Sequence, residues 1–190
     1  MPDILTAFGL SASAGLNAYI PLLLIALAAR YTDLIQLAAP YDHLTDGWVI
    51  VGLTALLFVE ALADKVPAVD HVNDILGTFI RPAAGAILFA ATMSGAVTGV
   101  DPRLGLLLGA VTAGATHGAK ATARPVVTAT TAGLGNPVVS TIEDVTAFVT
   151  SIVAILAPLL IGVALVIFLV LVTGWWLRRP RPTDGTAGSA

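Results

Sequence analysis

Three basic side chains stand close together in the second half of a mostly apolar chain. His117, Lys120 and Arg124 are spaced i, i+3 and i+7, which places them on one helical face if their helix continues to Pro125. An unpaired charge in hydrocarbon costs at least ~2.5–3.5 kcal/mol on insertion scales. These cations therefore need mates, either an anionic ligand or carboxylates of the same protein.

The residues leave both alternatives open. In the first, a phosphate headgroup, a carboxylate or a small inorganic ion binds to the protein. The side chains predicted to contact such a substrate are Asn17, Arg81, Lys120 and Arg124. In the second, the cations pair internally or extend to the polar boundary of the membrane. The residues predicted to form this charge network, or to carry coupling protons, are Glu60, Asp64, Asp70, His71, Asp74 and His117.

The carboxylates have a helical spacing of their own. Glu60 and Asp64 are i, i+4, and Asp70 and Asp74 repeat that spacing. A low-dielectric neighbourhood favours their protonated forms, and their oxygens also suit hard cations. A solvated loop is the alternative. No metal motif of recognised spacing is present and the chain has no cysteine, so the sequence predicts no metal, no cofactor and no catalytic residue.

The composition indicates that this protein is embedded in a lipid bilayer. Of 190 residues, 57% are hydrophobic and 11% charged, and the mean hydropathy is +0.92. Soluble domains are about a quarter charged, and a chain this short could hide so much apolar surface only in a bilayer. The cations are scattered and the net charge is −3, which excludes a nucleic-acid-binding protein.

Five apolar stretches are candidates for membrane spans, since about 20 apolar residues cross a bilayer. They are Ile4 to Ala29, Trp48 to Ala63, Pro82 to Gly99, Leu104 to Ala119 and Val145 to Trp176. The last is long enough to tilt or to break at Pro158. The sequence predicts an all-α membrane protein with about five transmembrane helices. Residues 1–177 form one domain, and residues 178–190 form a disordered tail, first basic and then rich in Gly, Ser and Thr.

The first stretch contains an interruption. Small residues, Asn17 and Pro21 lie in its middle, and the proline frees a backbone carbonyl near Asn17. In lipid such a break is tolerated only where protein or a watery cavity satisfies the freed groups. We expect this helix to be buried in the bundle or to line a cavity.

Two polar segments between spans are candidates for re-entrant structure. In residues 60–82, apolar positions recur at helical spacing after Pro67, which predicts a short amphipathic helix. In residues 117–144, Ser140 and Glu143 fit a capping box, which predicts that the last helix begins at Ser140.

The C-terminal end carries an orientation signal. Trp175 and Trp176 precede Arg178 and Arg179, an aromatic anchor followed by the positive charge typical of cytoplasmic ends. The C-terminus is therefore predicted to be cytoplasmic. Five spans would then place the N-terminus and both polar segments on the outer side.

Small residues and weak internal similarity suggest further organisation. Gly105, Gly109, Gly114 and Gly118 allow close helix approach, either within the bundle or in a homo-oligomer. Two short runs, Gly15 to Pro21 and the run up to Pro125, resemble each other. Many transporters consist of two related halves, so a weak two-fold internal repeat is predicted.

Several blocks of this sequence resemble a known family. They are Gly15 to Pro21, Asp64 to Asp74, Arg81 to Gly85 and His117 to Arg124. They are similar to signature blocks of a family of small bacterial membrane proteins classed as a domain of unknown function. The resemblance implies a multi-pass protein of the bacterial inner membrane and no established activity.

The leading functional hypothesis is a small transporter or channel for an anionic solute or lipid headgroup. The second is an accessory or assembly subunit whose charges are structural. The third, an enzyme acting on lipid phosphates, ranks last because the sequence has no motif for phosphatase, protease or alcohol phosphotransferase chemistry.

Overall fold

The fold is taken from a computed structural model that describes residues 4–63, 67–94 and 101–177. The side chains of residues 67–72 and 74 lie outside this description. Within the described ranges the chain forms seven α-helices, one 3₁₀ helix (Tyr41–Thr45) and no strand, which confirms the all-α prediction. The helices are α1 (Ile4–Leu16), α2 (Tyr19–Tyr31), α3 (Gly47–Ala63), α4 (Pro67–Ser94), α5 (Pro102–Thr131), α6 (Asn136–Leu156) and α7 (Pro158–Leu177).

Length and composition separate these helices into two groups. Among the described residues, three helical segments are long and apolar enough to cross a membrane: Ile75–Ser94 within α4, α6 and α7. α1 and α2 have 13 residues each, or about 20 Å at 1.5 Å per residue. That is less than the ~30 Å hydrocarbon core. The first apolar stretch is therefore two short helices rather than one interrupted span.

The first helix, α1, packs antiparallel to α4. The Phe8 and Phe89 rings meet edge to face with centroids 5.1 Å apart. Further along α1, Ser11 Oγ donates to the carbonyl of Gly85 at 3.0 Å. Later residues of α1 thus contact earlier residues of α4, so the start of α1 lies near the end of α4 at Ser94.

The second helix, α2, returns the chain to the end at which α1 began. The N–H of Ala38, in the segment after α2, donates to Oγ of Ser94 at 3.1 Å, and Ser94 is the last residue of α4. Because α1 and α2 enter and leave at the same end of the bundle, they form a re-entrant helical hairpin. Its tip is Asn17 and Ala18.

The described parts of the two polar segments belong to the longer helices α3, α4, α5 and α6 and to the turn between α5 and α6. α4 runs without interruption from Pro67 through Pro82, so the predicted short amphipathic helix is the first part of a longer one. α5 continues past Pro125 and ends where Ala132 adopts a left-handed conformation, with φ of 50°. The capping-box prediction is wrong, because α6 begins at Asn136, within one turn of that left-handed end.

The hairpin also changes the predicted sidedness. Along the α4–α5 contact, Gly85 meets Gly109 and Arg81 meets His117, so the two helices are antiparallel. The end of α5 at Thr131 therefore lies at the opposite end of the bundle from Ser94 and from the start of α1. The prediction places the N-terminus and the polar segments on one side, whereas the start of α1 and the end of α5 lie at opposite ends of the bundle. The side of the membrane that each end faces stays a prediction.

Glycines bring α4 and α5 into close contact. A Cβ atom added at Gly109 would overlap the carbonyl oxygen of Gly85 and lie 2.7 Å from Cβ of Phe89. Gly105 lies against the Phe89 ring. Two of the four glycines named from the sequence, Gly105 and Gly109, thus serve packing within the bundle. A Cβ at Gly118 would meet no described atom within 4 Å, and the homo-oligomer stays a prediction.

The last apolar stretch breaks at Pro158, where α6 gives way to α7. After Gly162, which packs against Leu5, nearly every side chain of α7 is exposed. A helix that is apolar on all sides is suited to lipid.

Candidate functional site

The basic side chains of α5 converge on the tip of the hairpin. His117, Lys120 and Arg124 are each only 6% exposed. α5 passes through Pro125 without ending, so the three share one buried face. α1 packs against this face, and its end at Leu16 reaches the level of Lys120.

Asn17 satisfies the backbone at the break between α1 and α2. Its Oδ1 accepts from the N–H groups of Tyr19 at 3.0 Å and Ile20 at 3.1 Å. These are two of the donors that the start of a helix leaves without an intrahelical partner. Its Nδ2 donates to Oδ1 of Asp144 in α6 at 2.9 Å. Asn17 therefore caps α2 and ties the tip to α6.

Lys120 links the same break to both neighbouring helices. Its Nζ donates to the Leu16 carbonyl at 3.2 Å and lies 2.8 Å from Oε2 of Glu143. The carbonyl belongs to the last turn of α1, where the helix dipole favours a positive charge. The ammonium group thus stabilises the end of α1 from outside that helix.

Glu143 is shared between two cations. The same Oε2 that contacts Lys120 also accepts from Nη2 of Arg124 at 2.8 Å. We call Lys120 and Arg124 the lysine–arginine clamp and Glu143 its carboxylate. Both cations come from α5 and the carboxylate comes from α6. The clamp therefore joins α5, α6 and the hairpin tip.

A second group lies one turn away along α5, and we call Glu60, Thr78, Arg81 and His117 the arginine cluster. Nη2 of Arg81 lies 3.3 Å from Oε1 of Glu60, and Nη1 lies 2.9 Å from Nδ1 of His117. Arginine only donates, so Nδ1 accepts and a neutral imidazole carries its proton on Nε2. That nitrogen lies 3.3 Å from Oγ1 of Thr78. The cluster thus links α3, α4 and α5 through Glu60, Arg81 and His117.

Three members of the arginine cluster are buried, whereas Thr78 is exposed. Arg81 is 1% exposed and Glu60 is 6% exposed. Glu60 is the one buried residue of α3, all of which is described. The buried anchor of α3 to the bundle is therefore ionic rather than apolar.

Small hydroxyl groups hold the hairpin against α6. Ser13 Oγ lies 2.7 Å from both the Ala147 carbonyl and Oγ of Ser151. All of these atoms are buried, so the bonds replace apolar packing by interhelical hydrogen bonds. They fix α1 one turn before the tip.

The structure brings together most of the residues selected from the sequence. Those that meet at the tip or beside it are Asn17, Glu60, Arg81, His117, Lys120 and Arg124. The remaining candidates, Asp64, Asp70, His71 and Asp74, lie outside the described side chains, and their roles stay predictions. Among the described residues, no group of three His, Asp or Glu side chains could hold a metal ion.

Two acidic residues of the site were missed. The capping-box prediction gives Glu143 a different role and the sequence predicts none for Asp144, yet Glu143 contacts the clamp and Asp144 bonds to Asn17. The available signal was an adjacent acidic pair near the start of an otherwise apolar span. Sequence spacing could not show that these carboxylates face α5 and the hairpin tip.

Comparisons with known proteins agree with the sequence resemblance. A family profile described as Domain of unknown function (DUF4126) matches residues 4–179, which include both groups of charged residues. No curated protein and no solved structure gives a significant match to the chain. Because the profile covers nearly the whole chain, this protein is a member of the DUF4126 family.

Proposed function

We propose that this membrane protein is a small transporter for an anion, carried either by a free solute or by a lipid headgroup. The observation that supports the proposal is the position of Glu143, whose Oε2 lies 2.8 Å from both Lys120 and Arg124. The two cations already converge on one anionic oxygen. Lysine and arginine so placed suit a phosphate, sulfate or carboxylate oxygen equally well.

The hairpin supports the same assignment. Its tip ends α1 and begins α2 inside the bundle, and the ends of interrupted helices bind substrates and ions in several transporter families. At the start of α2 the N–H groups of Tyr19 and Ile20 donate to Asn17, and at the end of α1 the Leu16 carbonyl accepts from Lys120. A binding site formed at such an end can change when the tip moves by a small distance.

In this proposal each predicted contact has its own task. Lys120 and Arg124 bind the anion, and Asn17 orients the tip beside it. Arg81 adds positive potential from the next turn, through its bond to His117 on the same face. The arginine cluster keeps α3, α4 and α5 in register while the tip and α6 move.

The proposal is tested with purified protein in liposomes. Uptake of radiolabelled chloride, sulfate, inorganic phosphate and succinate is measured for the wild type and for Lys120→Met. We expect the wild type to move at least one of these anions faster than empty vesicles. Lys120→Met should lose that flux, because it removes one of the two cations. A fluorescent phospholipid scrambling assay on the same vesicles distinguishes a headgroup from a free solute.

The matched control is Arg103→Gln, which removes an exposed cation from the same helix. It should leave flux unchanged, and both variants should elute from a sizing column like the wild type. Flux and scrambling no greater than in empty vesicles would contradict the proposal for these anions. A stoichiometric unrelated protein on affinity purification in mild detergent would then favour the accessory-subunit hypothesis.

We further infer that the protein lies in the bacterial inner membrane with a cytoplasmic C-terminus. The family resemblance and the order of Trp175, Trp176, Arg178 and Arg179 support this location. Alkaline phosphatase and green fluorescent protein fusions at the C-terminus test it. Only the fluorescent fusion should be active, and an active phosphatase fusion would reverse the orientation.

A further inference from the structure

We propose that Glu143 is the proton-coupling residue of this transporter, because its carboxylate and the transported anion occupy the lysine–arginine clamp in turn. This inference rests on the proposed function and deepens it. The sequence analysis predicts proton coupling at other residues, and only the position of α6 against α5 brings Glu143 into the clamp.

The argument begins with what holds Glu143 in place. Its Oε2 receives one bond from an ammonium and one from a guanidinium, both at 2.8 Å. Bonds of this length between ionised partners are about twice as strong as neutral ones. They depend on the negative charge of the carboxylate, because a protonated carboxyl has one O–H donor and weaker acceptors. A proton on Glu143 therefore loosens its hold on both cations.

The next step concerns the cations that remain. Lys120 and Arg124 are each only 6% exposed, and a buried charge that loses one of its partners is destabilised. Protonation of Glu143 alone would incur a cost of this kind. An anion that enters the clamp as Glu143 takes up its proton avoids that cost, so the two events are coupled.

The charges balance in this exchange. Before it, the clamp holds two positive charges and one carboxylate. A proton from the aqueous phase then forms an O–H bond on Glu143, and a monovalent anion takes the place of the carboxylate between Lys120 and Arg124. The net charge of the site is unchanged. On the far side the anion leaves, the O–H bond breaks, and the proton follows into water.

Other charged groups around Glu143 have different partners. On α6, Asp144 bonds to Asn17 at the hairpin tip. On α4, Arg81 bonds to Glu60 of α3 and to His117 of α5. From α5, the side chains that contact Glu143 are Lys120 and Arg124. The side chains of Asp70, His71 and Asp74 in α4 lie outside the described part of the chain.

The exchange of Glu143 for an anion also affects the backbone at the hairpin tip, because Lys120 contacts both. The ammonium group of Lys120 contacts Glu143 and also donates to the Leu16 carbonyl. When an anion replaces the carboxylate, Lys120 is drawn toward a new partner and its bond to the end of α1 changes. The hydrogen bond between Lys120 and the hairpin tip therefore depends on whether Glu143 or an anion occupies the clamp.

The experiment separates coupling from transport. Glu143→Gln keeps the shape of the side chain but stays neutral, so the clamp is open to the anion at every pH. In liposomes with acid outside, we expect the wild type to accumulate the anion identified in the flux screen, and Glu143→Gln to lose this accumulation. In exchange of labelled for unlabelled anion at equal pH, Glu143→Gln should remain active. Asp33→Asn, which alters an exposed carboxylate, should match the wild type in both assays.

A binding measurement in detergent gives a second readout. If one proton is taken up per anion, the apparent affinity of the wild type for a non-titrating anion such as chloride or sulfate depends on pH. It should fall by about tenfold for each pH unit of increase, wherever Glu143 is ionised in the anion-free protein. The affinity of Glu143→Gln should be independent of pH. The infrared difference spectrum on adding the anion should show the carbonyl stretch of a protonated carboxylic acid in the wild type only.

The outcomes distinguish the two proposals. Exchange by the wild type with pH-independent binding would overturn the coupling role and leave the transporter intact. Proton-driven accumulation by Glu143→Gln would have the same meaning. If the wild type neither exchanges nor accumulates chloride, sulfate, phosphate or succinate, this inference fails, and if it also scrambles no phospholipid the transporter proposal fails with it. Should Glu143→Gln misfold, the wild-type pH dependence and infrared band still decide the question.

Discussion

The arginine cluster and the lysine–arginine clamp both bury basic side chains beside the same face of α5, yet their surroundings differ. The arginine cluster adjoins the close contact of Gly85 with Gly109, where α4 and α5 cannot separate without losing packing. The clamp lies at a break between two short helices, where part of the backbone is bonded to side chains. One region is held by continuous helices and the other by replaceable polar contacts.

This difference separates an ionic contact between continuous helices from one at a helix break. A buried ion pair adds little net stability, but breaking it is costly. Placed between continuous helices, such a pair fixes their register. Placed at a helix break, it leaves a group that can exchange its partner. We therefore expect changes in the arginine cluster to affect folding first, and changes in the clamp to affect transport first.

The largest expected effect comes from Arg81→Ala. This change leaves Glu60 without the guanidinium and removes the donor to His117 Nδ1. Losing one member of a buried pair costs about 3–5 kcal/mol. The free energy of unfolding is measured by titration in mixed detergent micelles. The comparison fails if Lys120→Met, in the clamp, costs more stability than Arg81→Ala.

A smaller effect is expected from the contact that supports the arginine cluster. Gly109→Ala places a Cβ against the Gly85 carbonyl, and overpacking of this kind costs about 1–3 kcal/mol. The matched control is Gly118→Ala on the same helix, where a Cβ meets no described atom within 4 Å. It should stabilise the protein by up to ~1 kcal/mol, since alanine favours a helix interior. Equal effects of the two substitutions would contradict the proposed support of the cluster by this close contact.

The smallest effect on stability is expected at the tip. Asn17→Ala removes the side chain that caps α2 and bonds to Asp144, and loss of a cap costs about 0.5–2 kcal/mol. Thermal unfolding should shift modestly, whereas anion flux should fall sharply because the tip is no longer oriented. A large loss of stability with normal flux would reverse the assignment of roles to the two regions.

Much of the local structure could be predicted from the sequence. The break near Asn17 and the break at Pro158 follow from residue type, because proline removes a backbone donor and asparagine can replace part of the lost bonding. The shared face of His117, Lys120 and Arg124 follows from helical spacing. These features depend on neighbours within a few positions in the chain. For that reason they could be predicted without knowledge of the fold.

Other features could not be predicted in this way. A break near Asn17 is equally consistent with a kinked span and with a hairpin, and the choice depends on the contacts of α1 with α4 and of Ala38 with Ser94. The role of Glu143 depends on how α6 is rotated against α5. The predicted internal repeat stays a prediction.

The amino-acid sequence by itself determined that this chain is suited to a membrane, that it is helical, and where its helices are interrupted. These properties follow from hydropathy and from backbone chemistry, which act locally. Only the tertiary structure decided that the first stretch turns back on itself and that Glu143 lies between Lys120 and Arg124. Both depend on distances between residues far apart in the chain, and helix packing sets those distances.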